Sequence, residues 1–273
     1  MESLWAVYSF VVGACFGSFL NVCISRWPEG LSVVRPRSRC PKCERPIGAL
    51  ENIPLVSWVA LRGECRGCGN PISFQYPLVE LTVGLIWLAC YFSFGLSFTA
   101  LRVAVLATVL LGIVITDAMH YLIPDGFTAF GLAWVIVTAL VSLFFPSDSP
   151  FAGAYDSLIG ACAGAGAIAI SGWLGELALK KEAMGFGDVT LMAVVGGSVG
   201  PARAILTIFI GALIATIVFL GVVYPFGWLR ARRRGVEFEL PQIPFGVFLA
   251  PAAMIALLWG KSMVSAYTTS MGL

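Results

Sequence analysis

Charge is scarce in this chain. Only 12% of its 273 residues are Asp, Glu, Lys or Arg, against about 25% in an average soluble domain. The shortage excludes an ordinary water-soluble fold, and no nucleic-acid partner is expected. Histidine is nearly absent: His120 stands alone, with no recognisable serine or thiol partner for nucleophilic catalysis. A basic segment ahead of the first apolar run is missing too, since Glu2 is the only charge before it and arginines follow it. That run therefore reads as an anchor with its N-terminus outside, not as a cleaved signal peptide. No G-x-G-x-x-G follows a strand pattern, which removes a dinucleotide fold. Neither an internal repeat nor a low-complexity segment is apparent. Eight cysteines alone would suggest a secreted disulfide scaffold, but the chain is too long and too apolar for that class.

What is abundant is apolar sequence, at 59% of residues. Runs near the bilayer-spanning length of about 20 residues fall at 4–24, 77–95, 99–116, 124–145, 154–178, 187–200, 203–225 and 243–265. The sixth is short, as a tilted, broken or merged segment would be. A backbone in lipid has to satisfy its own hydrogen bonds, so the runs are expected to be helices. The fold class is thus an all-α polytopic membrane protein with about eight transmembrane helices. Its organisation reads as a first helix (1–24), a polar cytoplasmic loop (25–76) and a helical core (77–273).

The few charges are placed with a bias. The loop after the first run, Lys180 with Lys181 after the fifth, and Arg230, Arg232, Arg233 and Arg234 after the seventh hold 14 of the 17 basic residues. Arg102, Arg203 and Lys261 are left on the other side. The positive-inside rule makes the first side cytoplasmic. The link "PSDSPFAG" at 146–153 has turn chemistry and no basic residue, as an external link should. Gly160 with Gly164, and Gly196 with Gly200, have the small-xxx-small spacing of close helix packing.

Two turns, "CPKC" at Cys40–Cys43 and "CRGC" at Cys65–Cys68, form a CxxC–x21–CxxC pattern. Each turn offers two thiolates to one tetrahedral ion, and together they close a four-sulfur Zn²⁺ site with no open position, hence a structural one. A reducing cytoplasmic setting favours metal over disulfide. Cys15, Cys23, Cys90 and Cys162 lie in or at the ends of apolar runs and read as small buried hydrophobes. Glu29, Glu44, Glu51 and Glu64 in the loop are candidates for attracting a basic peptide, and its arginines for meeting lipid headgroups.

Three of the five aspartates fall at cytoplasmic ends of apolar runs: Asp117, Asp125 and Asp188. Asp148 and Asp156 belong to the external link and read as turn and capping residues. An ionisable group in such a place points to function, although helix capping competes for Asp125 and Asp188. Glu80 and Glu176 either line the same polar cavity or pack toward an interface. Two carboxylates in one poorly hydrated site share a proton, so one activates water while the other protonates the scissile amide. Gly185 and Gly187, ahead of Asp188, leave room for an extended peptide. Composition alone does not select the pair.

The motifs do. "GSFLNVCISRWP" at 17–28, the two CxxC turns, "DAMHYLIPD" at 117–125, "EAMGFGD" at 182–188 and "IPFGVFLA" at 243–250 together resemble the type IV prepilin peptidases of pilus and type II secretion systems. The resemblance implies GxGD aspartyl peptidase chemistry with Asp117 and Asp188 as catalytic acids, and Asp125 as a supporting residue. It implies cleavage after a glycine of a prepilin or pseudopilin with a basic leader, on the cytoplasmic side of the bacterial inner membrane. N-methylation of the new terminus from S-adenosylmethionine would follow, though some relatives only cleave. Two positions depart from the family pattern. A lysine common two residues after the GxGD aspartate is Thr190, and the proline of the usual IPFGPFLA is Val247. Two other classes compete. An ion-coupled transporter expects paired acids near the bilayer midplane and visible repeat symmetry; an assembly scaffold docking through its zinc loop needs neither aspartate.

Overall fold

The computed structural model describes residues 2–144, 150–180, 184–235 and 243–271, which are helical apart from turns and two isolated bridges. The helices are α1 (Glu2–Arg26), α2 (Val56–Ala60), α3 (Gln75–Phe94), α4 (Phe98–His120), α5 (Asp125–Phe144), α6 (Ala154–Leu179), α7 (Phe186–Val199), α8 (Pro201–Val218), α9 (Tyr224–Arg234), α10 (Gly246–Leu258) and α11 (Gly260–Met271). Asp148 and Lys181 lie outside the described residues.

The all-α membrane fold is as expected, with a refinement of the span count. Six stretches are long and apolar enough to cross a bilayer: Glu2–Glu29, Gln75–Phe94, Phe98–His120, Asp125–Phe144, Ala154–Ala178 and Pro201–Arg233. The other two apolar runs do not make straight spans. The 187–200 run is the short α7, whose 14 residues reach about 21 Å at 1.5 Å per residue, less than the roughly 30 Å hydrocarbon core. The 243–265 run breaks at Trp259, where α10 and α11 bend by 73°. The last long stretch runs from α8 into α9 through a π-helical turn, Phe219–Val223. Large apolar side chains such as Phe209, Leu213 and Ile217 on α8 are exposed, as lipid-facing residues are.

The chain forms two compact units, Met1–Gly112 and Ile113–Leu273. In the first, α1 packs closely along α3 because α1 offers no side chain at Gly13 and Gly17. A methyl group on Gly13 would lie 2.7 Å from Trp87 Cβ, and one on Gly17 2.7 Å from Glu80 Cα. Phe16 stacks on Trp87 with centroids 4.7 Å apart, and Trp87 Nε1 donates to Thr108 Oγ1 at 3.1 Å. Buried Asn21 donates to the Tyr76 carbonyl at 3.0 Å. Glu80, 8% exposed, accepts the Leu55 N–H at 2.7 Å and so ties the polar loop to α3 at the start of α2.

In the second unit, α6 and α7 meet through the glycines that the spacing singled out. A methyl on Gly160 would strike the Gly196 carbonyl, and one on Gly164 the Met192 carbonyl. Close packing is therefore what those glycines provide. It holds the short α7 firmly enough to aim its first turn. Asp156 lies in the first turn of α6, where the exposed N–H groups favour an acid. Of the four cysteines in apolar runs, Cys23 and Cys90 are buried as expected, whereas Cys15 and Cys162 are exposed. Cys162 faces outward on α6, an apolar setting of another kind in lipid, whereas Cys15 borders a cavity of the first unit.

Candidate active site and metal centre

Three chain segments converge in the second unit. Asp117 occupies the last turn of α4 and is only 5% exposed. The link that follows turns sharply at Tyr121, with φ of 54°, and carries buried Ile123 into the interior. Ile123 is the wedge on which the site is assembled. A methyl on Gly187 would lie 2.8 Å from Ile123 Cβ, and one on Gly246 3.0 Å from Ile123 Cδ1. Only glycine at these two positions lets α7 and α10 approach it so closely.

The start of α10 is aimed at Asp117. The first N–H groups of a helix lack internal acceptors and attract anions. Here the Val247 N–H donates to Asp117 Oδ2 at 3.1 Å, and the Gly246 amide is directed at the same carboxylate. A methyl on Gly246 would lie 2.8 Å from Asp117 Oδ2. A proline at 247 would have no N–H to give, so the departure from IPFGPFLA supplies a hydrogen bond.

Asp188 is the third residue of α7, after the N-cap Gly185. Its carboxylate takes the Gly185 amide, half of a capping box. The capping expectation is thus partly realised, but from the third helical position. The carboxylate is also close enough to Asp117 for the two charges to repel through space. The structure thereby brings together two acids 71 residues apart in sequence. Gly185 has ordinary backbone angles and open surroundings, so the space beside Asp188 stays free. Thr190 turns its hydroxyl back to the Gly187 carbonyl at 3.0 Å and brings no cation.

Other candidates are elsewhere. Asp125 begins α5 with an exposed side chain. His120 ends α4 exposed, as a solvated residue would be, and Glu176 is exposed on α6. Gly246 and Ile123, which touch the site most closely, were not singled out as site residues. The signal was present in the IPFG and IPD motifs that contain them.

The four cysteines of the loop form the second cluster. Their sulfurs all lie within 4.8 Å of one another, with Cys40 to Cys68 at 3.8 Å and Cys43 to Cys65 at 3.9 Å. A tetrahedron with metal–sulfur bonds of about 2.3 Å has edges of about 3.8 Å, so the cluster fits a metal ion. The two knuckles are built alike, and here a repeat does exist. "CPKCERPI" and "CRGCGNPI" share C-x-x-C-x-x-P-I. In each, the N–H of the first cysteine donates five residues on, to Arg45 O or Asn70 O, and its carbonyl accepts from the N–H of the residue after the second cysteine. That last residue is left-handed in both, at Glu44 and Gly69. Amides of Cys43 and Lys42 aimed at Cys40 pull its thiol down to about 6, so it is a thiolate at neutral pH, the form that binds metal. Arg45 reaches Glu51 at 2.9 Å and holds its carboxyl below the ordinary range, with Arg66 at 3.5 Å.

Comparison with known proteins gives two family matches. Residues 11–94 match a bacterial peptidase A24 N-terminal domain, and residues 104–220 match the type IV leader peptidase family. Among relatives, the chain is 35% identical over 282 residues to the prepilin leader peptidase/N-methyltransferase of Stutzerimonas stutzeri, spanning 95% of this chain and 92% of that one. The protein of that name from Bacillus subtilis is 32% identical over 258 residues, spanning 94% and 96%. That from Myxococcus xanthus is 42% identical over 193 residues, spanning 71% of this chain and 56% of its own length. No solved structure matches.

Proposed function

The chain belongs to the type IV leader peptidase family, and we propose that Asp117 and Asp188 are the catalytic pair with which it removes the leader of a prepilin. The enzyme is bifunctional: an aspartic endopeptidase of the membrane that also N-methylates the residue it exposes. The observation that carries the assignment is the meeting of the two carboxylates around Ile123, in a unit whose other described acids, Asp125, Asp156 and Glu176, are exposed.

The geometry supports a division of labour. Asp117 receives the Val247 amide at the start of α10, which orients its carboxyl toward the site. It is the general base that takes a proton from water. Asp188, with one amide and a negative neighbour, is the partner that carries the shared proton. Water adds to the scissile carbonyl as Asp117 accepts its proton, and Asp188 protonates the departing amine as the C–N bond breaks. Asp125 is a supporting residue at the mouth of the site. Gly185 and Gly187 keep the approach to Asp188 narrow and unobstructed for an extended peptide.

The substrate is itself a membrane helix, so its scissile bond emerges where lipid meets cytoplasm. Helix-end acids suit that depth better than midplane ones. The bias of basic residues supports a cytoplasmic position for this face and the cysteine loop, in the bacterial inner membrane. The ion held by Cys40, Cys43, Cys65 and Cys68 is Zn²⁺, in a structural role. In the second reaction S-adenosylmethionine supplies the methyl group. Incubation of the purified enzyme with a synthetic prepilin and labelled S-adenosylmethionine, followed by mass spectrometry, tests both reactions. Leader loss without label would leave only the peptidase.

A further inference from the structure

The face of α1 that turns away from α3 changes character along its length. At about 100° per residue, Cys15, Phe19, Val22 and Arg26 fall in one narrow arc opposite Gly17, which meets α3. These four border a cavity of about 510 Å³ in the first unit, whose other wall is the loop between Val33 and Pro54. From Cys15 to Arg26 the helix rises about 16 Å, roughly half of the 30 Å hydrocarbon core. The cavity therefore runs along the depth of one leaflet. Its deep end is apolar, and Phe19, 52% exposed, turns that wall toward lipid. Its shallow end carries two guanidinium groups, Arg26 from α1 and Arg37 from the loop. Arg26 is fixed there by one N–H donated to the Ser32 carbonyl at 2.9 Å. Among the described residues no acid lines the cavity, and the ion pairs of the loop belong to Arg45 and Arg66.

We infer that this cavity seats one anionic phospholipid, its phosphodiester against Arg26 and Arg37 and an acyl chain along α1 toward Cys15. The site goes beyond the two reactions proposed above and depends on neither. Guanidinium forks match phosphate oxygens in pairs, and basic residues at the bilayer surface draw anionic lipids to them. A zwitterionic headgroup would bring a cation as well, for which the lining offers no carboxylate. A net negative headgroup, such as phosphatidylglycerol, meets only complementary charge. Free phosphate would satisfy the arginines but leave the apolar end unfilled, and it is the match along the whole depth that selects a lipid. A basic peptide is repelled by the same two arginines. The position also links the lipid to the metal. Arg37 stands three residues before Cys40, so the lipid holds against α1 the same segment that the four-cysteine ion holds at its other end.

The test is native mass spectrometry of the full-length enzyme in detergent, titrated with phosphatidylglycerol, phosphatidylethanolamine or inorganic phosphate. One phosphatidylglycerol should bind in clear preference to phosphatidylethanolamine. Loss of one hydrogen bond to a charged group weakens binding by about tenfold or more, and that is expected for Arg37→Gln. Cys15→Trp, which fills the deep end, should weaken binding while leaving both arginines in place. Arg62→Gln removes the same charge from an exposed loop position outside the cavity and should bind as the wild type does. Metal content reports whether the loop is intact; should Arg37→Gln lose its metal, Cys15→Trp decides alone. Equal binding of the two lipids by the wild type overturns the site, as does wild-type affinity in an intact Arg37→Gln or in Cys15→Trp. In the last case, displacement of the lipid by millimolar phosphate would make the cavity a free-phosphate site instead.

Discussion

The two units solve one problem in opposite ways: how to hold a few polar groups in an almost wholly apolar chain. In Met1–Gly112 the polar groups are moved out of the helices into a loop, which is then tied down. Four sulfurs converge within 4.8 Å, and Glu80 accepts a loop amide at 2.7 Å. In Ile113–Leu273 the two acids of the site stay in the helices, at their ends. Asp117 closes α4, Asp188 opens α7, and the first amides of α10 meet Asp117. The difference teaches where to expect fragility. The first unit depends on ligands and charge pairs, the second on the absence of side chains at Gly187 and Gly246.

The sharpest way to break the comparison is to remove the acids. Asp117→Ala or Asp188→Ala should lower leader removal by at least about 10²–10⁴-fold, while the four-cysteine metal and S-adenosylmethionine binding persist. Loss of metal in either variant would show that the units are not separable in this sense. Next in size is Cys65→Ser, for which elemental analysis should find the metal lost. Gly246→Ala follows. Its methyl would lie 2.8 Å from Asp117 Oδ2, and a displacement of about 1 Å lowers turnover by roughly 10²-fold. The expected signature is a fall in kcat with KM nearly constant. Val247→Pro is gentler, because proline is tolerated in the first turn of a helix and only one N–H is lost. About a tenfold fall in kcat is expected from one hydrogen bond to a charged group; an unchanged kcat would mean that the Val247 amide is dispensable.

The smallest effect concerns Glu51. Its folded carboxyl is held low by Arg45, so its contribution to the loop is present above the ordinary carboxylate range and lost as pH falls through the depressed value. Glu51→Gln should therefore speed hydrogen exchange in residues 45–52 at neutral pH and make no difference in strong acid. An equal effect at both extremes would mean that packing, not charge, holds the loop.

Much of this was legible in the residues. Apolar runs of span length marked the helices, since lipid leaves the backbone no alternative. The CxxC spacing marked the metal cluster because two knuckles need little else. The acid pair was legible only through the family motifs; nothing local tells Asp188 from a capping residue, and in part it is one. The broken spans were hidden. Hydropathy sums over a window, so a 14-residue helix beside apolar links, or two helices bent by 73°, reads as one run. Gly246 was missed because its meaning is a distance to Asp117, 129 positions away in the chain. The knuckle repeat was missed because four matching residues in eight do not stand out by composition. Their common hydrogen bonds make it plain.

The account rests most directly on the purified Asp117→Asn and Asp188→Asn enzymes, given a synthetic prepilin and followed by mass spectrometry. These near-isosteric variants keep the packing around Ile123 and replace a carboxyl that can take and give a proton by an amide that cannot. The account predicts intact prepilin from both while S-adenosylmethionine still binds. Processing at the wild-type rate by either one would contradict it.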